Sequence, residues 1–141
     1  MSSERSRVSG PRARIQFEVP FHDCDPLQIV WHGRYFEYFE VARTALFKER
    51  GLDISAIREL GLRMYVADVR CRYTSPLTYG DEVEVEAMAK TVSAHIRIAY
   101  SVRNLTSGRR SARGHCILAT TDTQGQLLPQ TPAVIQERLF A

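Results

Sequence analysis

The spacing of apolar residues along the chain changes near residue 33. Apolar and polar residues alternate over 15–21, which predicts a half-buried strand that ends near Pro20. From 33 to 50 the apolar residues recur every three or four positions, which predicts a helix with an aromatic face that Gly51 ends. At 1.5 Å per residue this helix is roughly 25 Å long. Such a face needs a large apolar partner.

The remaining sequence predicts a second short helix and a series of strands. Asp53 is the expected cap of a helix over 54–60, and Gly61 ends it. Strand patterns follow at 66–73, 82–90, 95–103 and 110–121. Because the turns between them are short, neighbouring strands should pair antiparallel. The predicted fold class is α+β, a curved antiparallel sheet wrapped around one long central helix.

The size, composition and charge of the chain narrow its class. A chain of 141 residues, 44% apolar and 25% charged, suits a single globular domain, expected here over 15–141. Residues 1–14 hold four arginines and one glutamate, and we expect them to form a disordered basic tail. The remaining 15 basic and 15 acidic residues cancel. Residues 15–141 therefore carry no net charge, and they lack the excess of basic residues that is typical of a nucleic-acid-binding protein.

The sequence gives no sign of a membrane span, a disulfide framework or a metal site. No apolar run approaches the roughly 18 residues that span a bilayer, and the N-terminus lacks an apolar signal core, so a cytoplasmic location is expected. The odd number and wide spacing of Cys24, Cys71 and Cys116 match neither disulfide nor zinc patterns. We therefore expect no metal and no cofactor.

The segment from 22 to 35 concentrates the reactive side chains. Two carboxylates, two histidines and Cys24 lie within eleven residues, between the first strand and the long helix. Loops at helix N-termini favour reactive groups, because the first backbone N–H groups of a helix have no partner within it. Asp25 precedes Pro26, a pair that also commonly starts a turn, so a purely structural role for Asp25 is the alternative.

Three motifs carry a family resemblance. The sequence has Asp-Cys-Asp-Pro-x-x-Ile-Val-Trp over 23–31 followed by Tyr35, then Glu-x-x-Arg over 40–43, and Tyr-x-x-Pro-Leu-x-x-Gly-Asp over 73–81. This set resembles the 4-hydroxybenzoyl-CoA thioesterases of the hotdog-fold superfamily. It is also similar to the Tol-Pal-associated acyl-CoA thioesterases, which have a histidine at the position of His32. The order of elements matches from about 15 to 130.

The resemblance implies a hotdog fold and hydrolysis of an acyl-CoA thioester by a homodimer or homotetramer. Asp25 would act as nucleophile or general base, and the N–H at His32 would polarise the thioester carbonyl. The chemistry is consistent, because a helix N-terminus carries about half a positive charge that can stabilise an oxyanion. A thiolate with a pKa near 8.5 also leaves without strong protonation, so no Ser-His-Asp relay is needed.

Four further residues are predicted to contact the substrate, namely Gln28, Trp31, Arg34 and Tyr35. The family usually has Gly at the position of Gln28 and often Asn at that of Arg34. It also has a basic cluster after the third strand that binds nucleotide phosphates, where this chain has only Lys90 and Arg97 nearby. An acyl carrier protein is therefore an alternative donor, and the acyl group is either aromatic or fatty.

Other interpretations of the sequence remain open. A hydratase or dehydratase on the same fold uses a different His and acid motif, which is not found. A non-catalytic module that binds acyl-CoA would need no reactive Asp25. Asp23 is expected to solvate the loop or orient a neighbour. The side chain of His32 either positions water or substrate or is merely exposed, and no base is assigned to Cys24 as a nucleophile.

Overall fold

The computed structural model describes residues 10–141, and a five-stranded sheet dominates them. In chain order the elements are β1 (Arg12–Glu18), a 3-10 turn (Phe21–Asp23), α1 (Arg34–Glu49), α2 (Ile54–Glu59), β2 (Arg63–Tyr73), β3 (Glu82–Val92), β4 (Ile96–Asn104), β5 (Arg109–Thr121) and α3 (Ala133–Phe140). The strands pair antiparallel in the order β1-β3-β4-β5-β2. The long helix α1 packs chiefly on β1 and β3. The predicted α+β class is confirmed.

The core lies between the aromatic face of α1 and one face of the sheet. Alternate residues of β3 and β4 are buried, as period-two patterning requires. The Phe39 ring of α1 stacks on Tyr100 of β4 with centroids 4.3 Å apart and planes 4° apart. A Cβ on Gly114 would lie 3.0 Å from the Phe39 ring and overlap the Arg70 carbonyl. Glycine at this position therefore lets the helix approach β5 closely.

The first strand starts earlier than the sequence pattern indicated. β1 begins at Arg12, so the predicted basic tail is wrong for residues 12–14, while residues 1–9 lie outside the described residues. Arg14 Nε is 2.9 Å and Arg12 Nη1 3.5 Å from an oxygen of Glu86 on β3. These pairs join residues more than 70 positions apart, so local composition contained no sign of them.

A C-terminal helix, α3, was not predicted. It spans only Ala133–Phe140 and buries Ile135 and Leu139, four residues apart. Two helical turns contain too few apolar repeats to stand out from loop sequence, so packing against the rest of the chain decides this element. Within residues 10–141, no helix combines the length and the apolar character needed to cross a bilayer.

A buried carboxylate fixes the loop before α1 to the helix. Asp23 is 6% exposed. Its Oδ2 accepts a 2.7 Å hydrogen bond from the Tyr38 hydroxyl, and its Oδ1 lies 3.5 Å from Nε of Arg34. Burial, together with the bond to Asp23, raises the pKa of Tyr38, so the phenol remains a donor. Of the two roles expected for Asp23, these contacts support orientation of its neighbours.

Replacing this carboxylate should destabilise the protein. Asp23→Asn removes the charge that Arg34 faces and weakens the bond from the buried Tyr38 hydroxyl. We expect the free energy of unfolding in urea to fall by about 1–3 kcal/mol. Glu37→Gln is the matched control, because it removes the exposed partner of Arg34 and should cost less than about 0.5 kcal/mol. Equal effects of both variants on the free energy of unfolding would contradict this role of Asp23.

Candidate active site

Backbone hydrogen bonds fold the loop before α1 into a tight hairpin with Asp25 near its tip. The Asp25 N–H donates to the Ile29 carbonyl at 2.9 Å, and the Gln28 N–H donates to the Asp25 carbonyl at 2.8 Å. The Val30 N–H donates to the Leu77 carbonyl, which ties the hairpin to the segment after β2. Gln28 has a φ of 71°, a left-handed conformation that favours glycine. This backbone requirement accounts for the glycine that the resembling family has there.

Asp25 lines a cleft of about 360 Å³ at the start of α1. His32, Tyr35, Tyr73 and Ser75 are among the residues that share its wall. Oδ1 of Asp25 accepts a 2.9 Å hydrogen bond from the Leu27 N–H. Within residues 10–141, Oδ2 of Asp25 has no protein donor, so one carboxylate oxygen is not engaged by the protein.

The peptide units just before α1 present amide hydrogens without acceptors. Because α1 begins at Arg34, the N–H groups of His32 and Gly33 precede the first helical residue, and neither meets a protein acceptor in the described part of the chain. Tyr73 donates a 2.7 Å hydrogen bond to the His32 carbonyl, which belongs to the same peptide unit as the Gly33 N–H. A bond at the carbonyl polarises that unit and strengthens its N–H as a donor.

Two tyrosines shape the wall opposite Asp25. Tyr35 is 3% exposed, and its hydroxyl lies 3.1 Å from Ser111 Oγ, which donates in turn to the Ser75 carbonyl at 2.6 Å. The Tyr35 and Tyr73 rings meet edge to face, 4.9 Å apart. Burial raises the pKa of both phenols, so both remain protonated donors at neutral pH.

The remaining predicted contact residues separate in space. Arg34 bonds to Glu37 at 3.0 Å and faces Asp23, in a different depression from the Asp25 cleft. Gln28 lines a neighbouring cleft with Cys24, and Asp25 borders both clefts. Trp31 is 48% exposed, and its ring stands 5.2 Å from that of His32. The structure thus brings Asp25, His32 and Tyr35 into one cleft, and directs Arg34 and Gln28 elsewhere.

The sequence patterns did not indicate Tyr73, Ser75 and Ser111 as site residues. Tyr73 is part of the strand-turn motif over 73–81, which predicts a turn and no contact with the site. Its role depends on the position of β2 beside the start of α1, which local periodicity does not encode. The tyrosine four residues before a Leu-x-x-Gly-Asp turn was the signal that could have drawn attention to it.

A family model and two named relatives match parts of this chain. The family model described as "Thioesterase-like superfamily" matches residues 19–139. A protein of Aquifex aeolicus named for esterase activity is 36% identical over 75 residues, which cover 53% of this chain and 59% of that protein. YneP of Bacillus subtilis, named for acyl-CoA thioesterase activity, is 36% identical over 73 residues, covering 52% and 53%. The match thus spans little more than half the length of these two relatives.

Solved structures share the fold over nearly the whole chain. An Aquifex aeolicus protein superposes with a TM-score of 0.81 at 27% identity, covering 89% of this chain and 98% of that one. A 4-hydroxybenzoyl-CoA thioesterase variant in complex with 4-hydroxybenzoyl-CoA gives a TM-score of 0.83 at 21% identity, covering 92% and 99%. At that lower identity the likeness supports the hotdog fold alone. With the match over residues 19–139, the chain belongs to the thioesterase-like superfamily and has its hotdog fold.

Proposed function

We propose that the protein hydrolyses an acyl thioester, with Asp25 as the reactive carboxylate. One observation carries the proposal. The Asp25 carboxylate and His32, whose N–H meets no protein acceptor among the described residues, line the same cleft at the start of α1. A helix N-terminus stabilises negative charge that develops on a carbonyl oxygen, and one such donor is worth roughly 3 kcal/mol in the transition state.

Two routes satisfy the same geometry. In the first, Asp25 takes a proton from water, the hydroxide attacks the thioester carbonyl, and collapse of the tetrahedral oxyanion breaks the carbon–sulfur bond. In the second, Asp25 itself attacks and displaces the thiolate, giving a mixed anhydride that water then hydrolyses to the acid and free Asp25. In both routes the His32 and Gly33 N–H groups receive the oxyanion, and the thiolate leaves as an anion.

The sequence-based predictions extend this proposal to the substrate and the location. We propose that the protein belongs to the 4-hydroxybenzoyl-CoA or Tol-Pal-associated branch. Its substrate is then an aromatic or fatty acyl group carried by coenzyme A or by an acyl carrier protein, and its location is cytoplasmic. A module that binds acyl-CoA without turnover is the competing function, and it predicts saturable binding with no release of thiol.

The decisive substitution is Asp25→Asn. Asparagine retains an oxygen that can accept the Leu27 N–H, so the loop should keep its shape while the general base or nucleophile is lost. We expect kcat/KM to fall by about 10²- to 10⁴-fold with an unchanged melting temperature. Release of free thiol from benzoyl-, hydroxybenzoyl- and medium-chain acyl-CoA measures the rate.

Asp122→Asn is the matched control for this variant. Oδ1 of Asp122 also accepts backbone N–H bonds in a loop, from Gln124 and Gln126, but Asp122 lies outside the Asp25 cleft. This variant should hydrolyse the thioesters at the wild-type rate. Equal rates for wild type and Asp25→Asn would remove Asp25 from the mechanism. Binding of acyl-CoA without thiol release by the wild type would favour the non-catalytic module.

Tyr73→Phe tests the polarised peptide at the helix start. The substitution keeps the ring and removes only the hydroxyl bonded to the His32 carbonyl. Because that bond should matter most when the oxyanion forms, we expect kcat to fall about tenfold and KM to change less than about threefold. A higher KM with an unchanged kcat would instead assign Tyr73 to substrate binding.

Self-association is the remaining prediction, and strand β2 is the candidate surface. β2 is one of the two edge strands of the sheet, opposite β1. Its exposed apolar residues, each between 37% and 49% exposed, are Tyr65, Val66, Val69 and Tyr73. An exposed apolar edge strand favours pairing with another chain. Sedimentation equilibrium should show a homodimer or homotetramer, and Val69→Lys should shift it towards monomer. A wild type that sediments only as monomer would contradict this prediction.

A further inference from the structure

A half-open pocket separate from the Asp25 cleft lies between α1, α2 and the start of β2. Its volume is about 620 Å³, and we call it the Arg43 cavity. Its inner wall is apolar and includes the buried Phe47, Leu52, Ile57 and Leu118. A volume of this size suits a small organic ligand. Charged residues from α1, α2 and β2 supplement the apolar wall.

A guanidinium borders this cavity from the layer between helix and sheet. Nη1 of Arg43 lies 3.3 Å from the Tyr100 hydroxyl and 4.0 Å from Sγ of Cys116. Tyr100 is 3% exposed and Cys116 is fully buried. Burial raises the pKa of Tyr100, so the phenol stays neutral and supplies a hydrogen bond without a countercharge.

Arg43 has no carboxylate partner in the described chain. Its guanidinium makes no ion pair there, although Glu40 lies one helical turn earlier and borders the same cavity. Asp53, the other acid of the lining, uses Oδ1 to accept the Ile54 N–H. The lining also contains Lys48, Arg58 and Arg63, so four cationic residues and two acidic residues border the cavity.

The partly buried Arg43 guanidinium keeps hydrogen-bonding capacity that the described chain does not use. A guanidinium has five N–H donors, and the contacts within the described chain occupy only Nη1. A charge removed from water is costly unless an opposite charge or hydrogen bonds compensate it. An anion that entered the cavity would supply both.

The cavity and the Asp25 cleft follow the same two elements. Tyr35 borders the cleft and Arg43 the cavity, eight residues apart on α1, or about 12 Å along the helix axis. Strand β2 borders both, with Tyr73 at the cleft and Met64 to Val66 at the cavity. An extended acyl group with its carbonyl at Asp25 can therefore run along α1 towards Arg43.

We propose that the Arg43 cavity receives the distal end of the acyl group, and that Arg43 pairs there with a carboxylate on it. The preferred substrates are then monothioesters of dicarboxylic acids. This inference rests on the proposed thioesterase function and specifies its substrate class. Arginine suits the role because its planar fork matches a carboxylate and it stays charged when buried.

The test compares thioesters of equal length with and without the distal carboxylate. The pairs are succinyl and butyryl, adipyl and hexanoyl, and suberyl and octanoyl, each on coenzyme A and on N-acetylcysteamine, which has no phosphates. The wild type should prefer the carboxylate member at one chain length. Arg43→Gln should lower that preference, the ratio of the two kcat/KM values, by about 10- to 100-fold. Arg43→Lys should retain part of it.

Arg103→Gln is the control, because Arg103 is an exposed arginine of β4 outside the cavity. It should leave the preference as in the wild type. Equal rates for both members of every pair in the wild type, or an unchanged ratio in Arg43→Gln, would overturn the proposal. So would a loss in Arg43→Gln that affects all coenzyme A thioesters equally and no N-acetylcysteamine thioester, since Arg43 would then bind the carrier phosphates.

A binding measurement separates this proposal from the proposed function. Free dicarboxylates of four to eight carbons should raise the melting temperature of the wild type more than the matching monocarboxylates do, and Arg43→Gln should abolish the difference. If no thioester is hydrolysed but this difference appears, the carboxylate site stands and the thioesterase function fails. If thioesters are hydrolysed but no dicarboxylate shows the difference, the carboxylate site is wrong.

Discussion

The fixed start of α1 is the constraint on which the candidate site depends. Asp23, buried and bonded to Tyr38, holds the loop against the helix, while the Val30 N–H ties the same loop to Leu77. A loop restrained at two points cannot move Asp25 away from the helix start without breaking buried hydrogen bonds. Because buried polar groups without partners are costly, this arrangement is rigid where a reactive carboxylate needs a defined position.

Asp23 and Asp25 belong to one short motif but have different environments, and they are therefore suited to different roles. Asp23 is surrounded by donors and cations, so its oxygens are engaged in structure. Asp25 uses one oxygen to cap its own turn, and the other oxygen has no protein donor among residues 10–141. Residue type and spacing alone make them equivalent candidates, whereas burial and partners assign one to structure and leave the other available for chemistry.

The charges of the described chain are unevenly placed, although those of residues 15–141 cancel in total. Arg12 and Arg14 are matched by Glu86 across β1 and β3, at the surface of the sheet. Arg43, in contrast, sits in the helix–sheet layer with a phenol and a thiol as its neighbours. The composition excludes a broad basic surface of the kind that binds nucleic acid. It cannot show that one cation lacks a nearby acid, because that depends on the distances between side chains and on their burial.

The sequence by itself determined the elements and their class. Period-two and period-3.6 patterns gave the helix ending near Arg50, the short helix after Asp53 and the strands, because these patterns are local and repeat several times. The motif around Asp25 led to the family for the same reason. Only the tertiary structure decided that Arg34 turns towards Asp23, that Tyr73 supports the His32 peptide, that β1 starts at Arg12 and that α3 forms. Each of these depends on a partner distant in sequence or on packing against the rest of the chain, which local periodicity does not record.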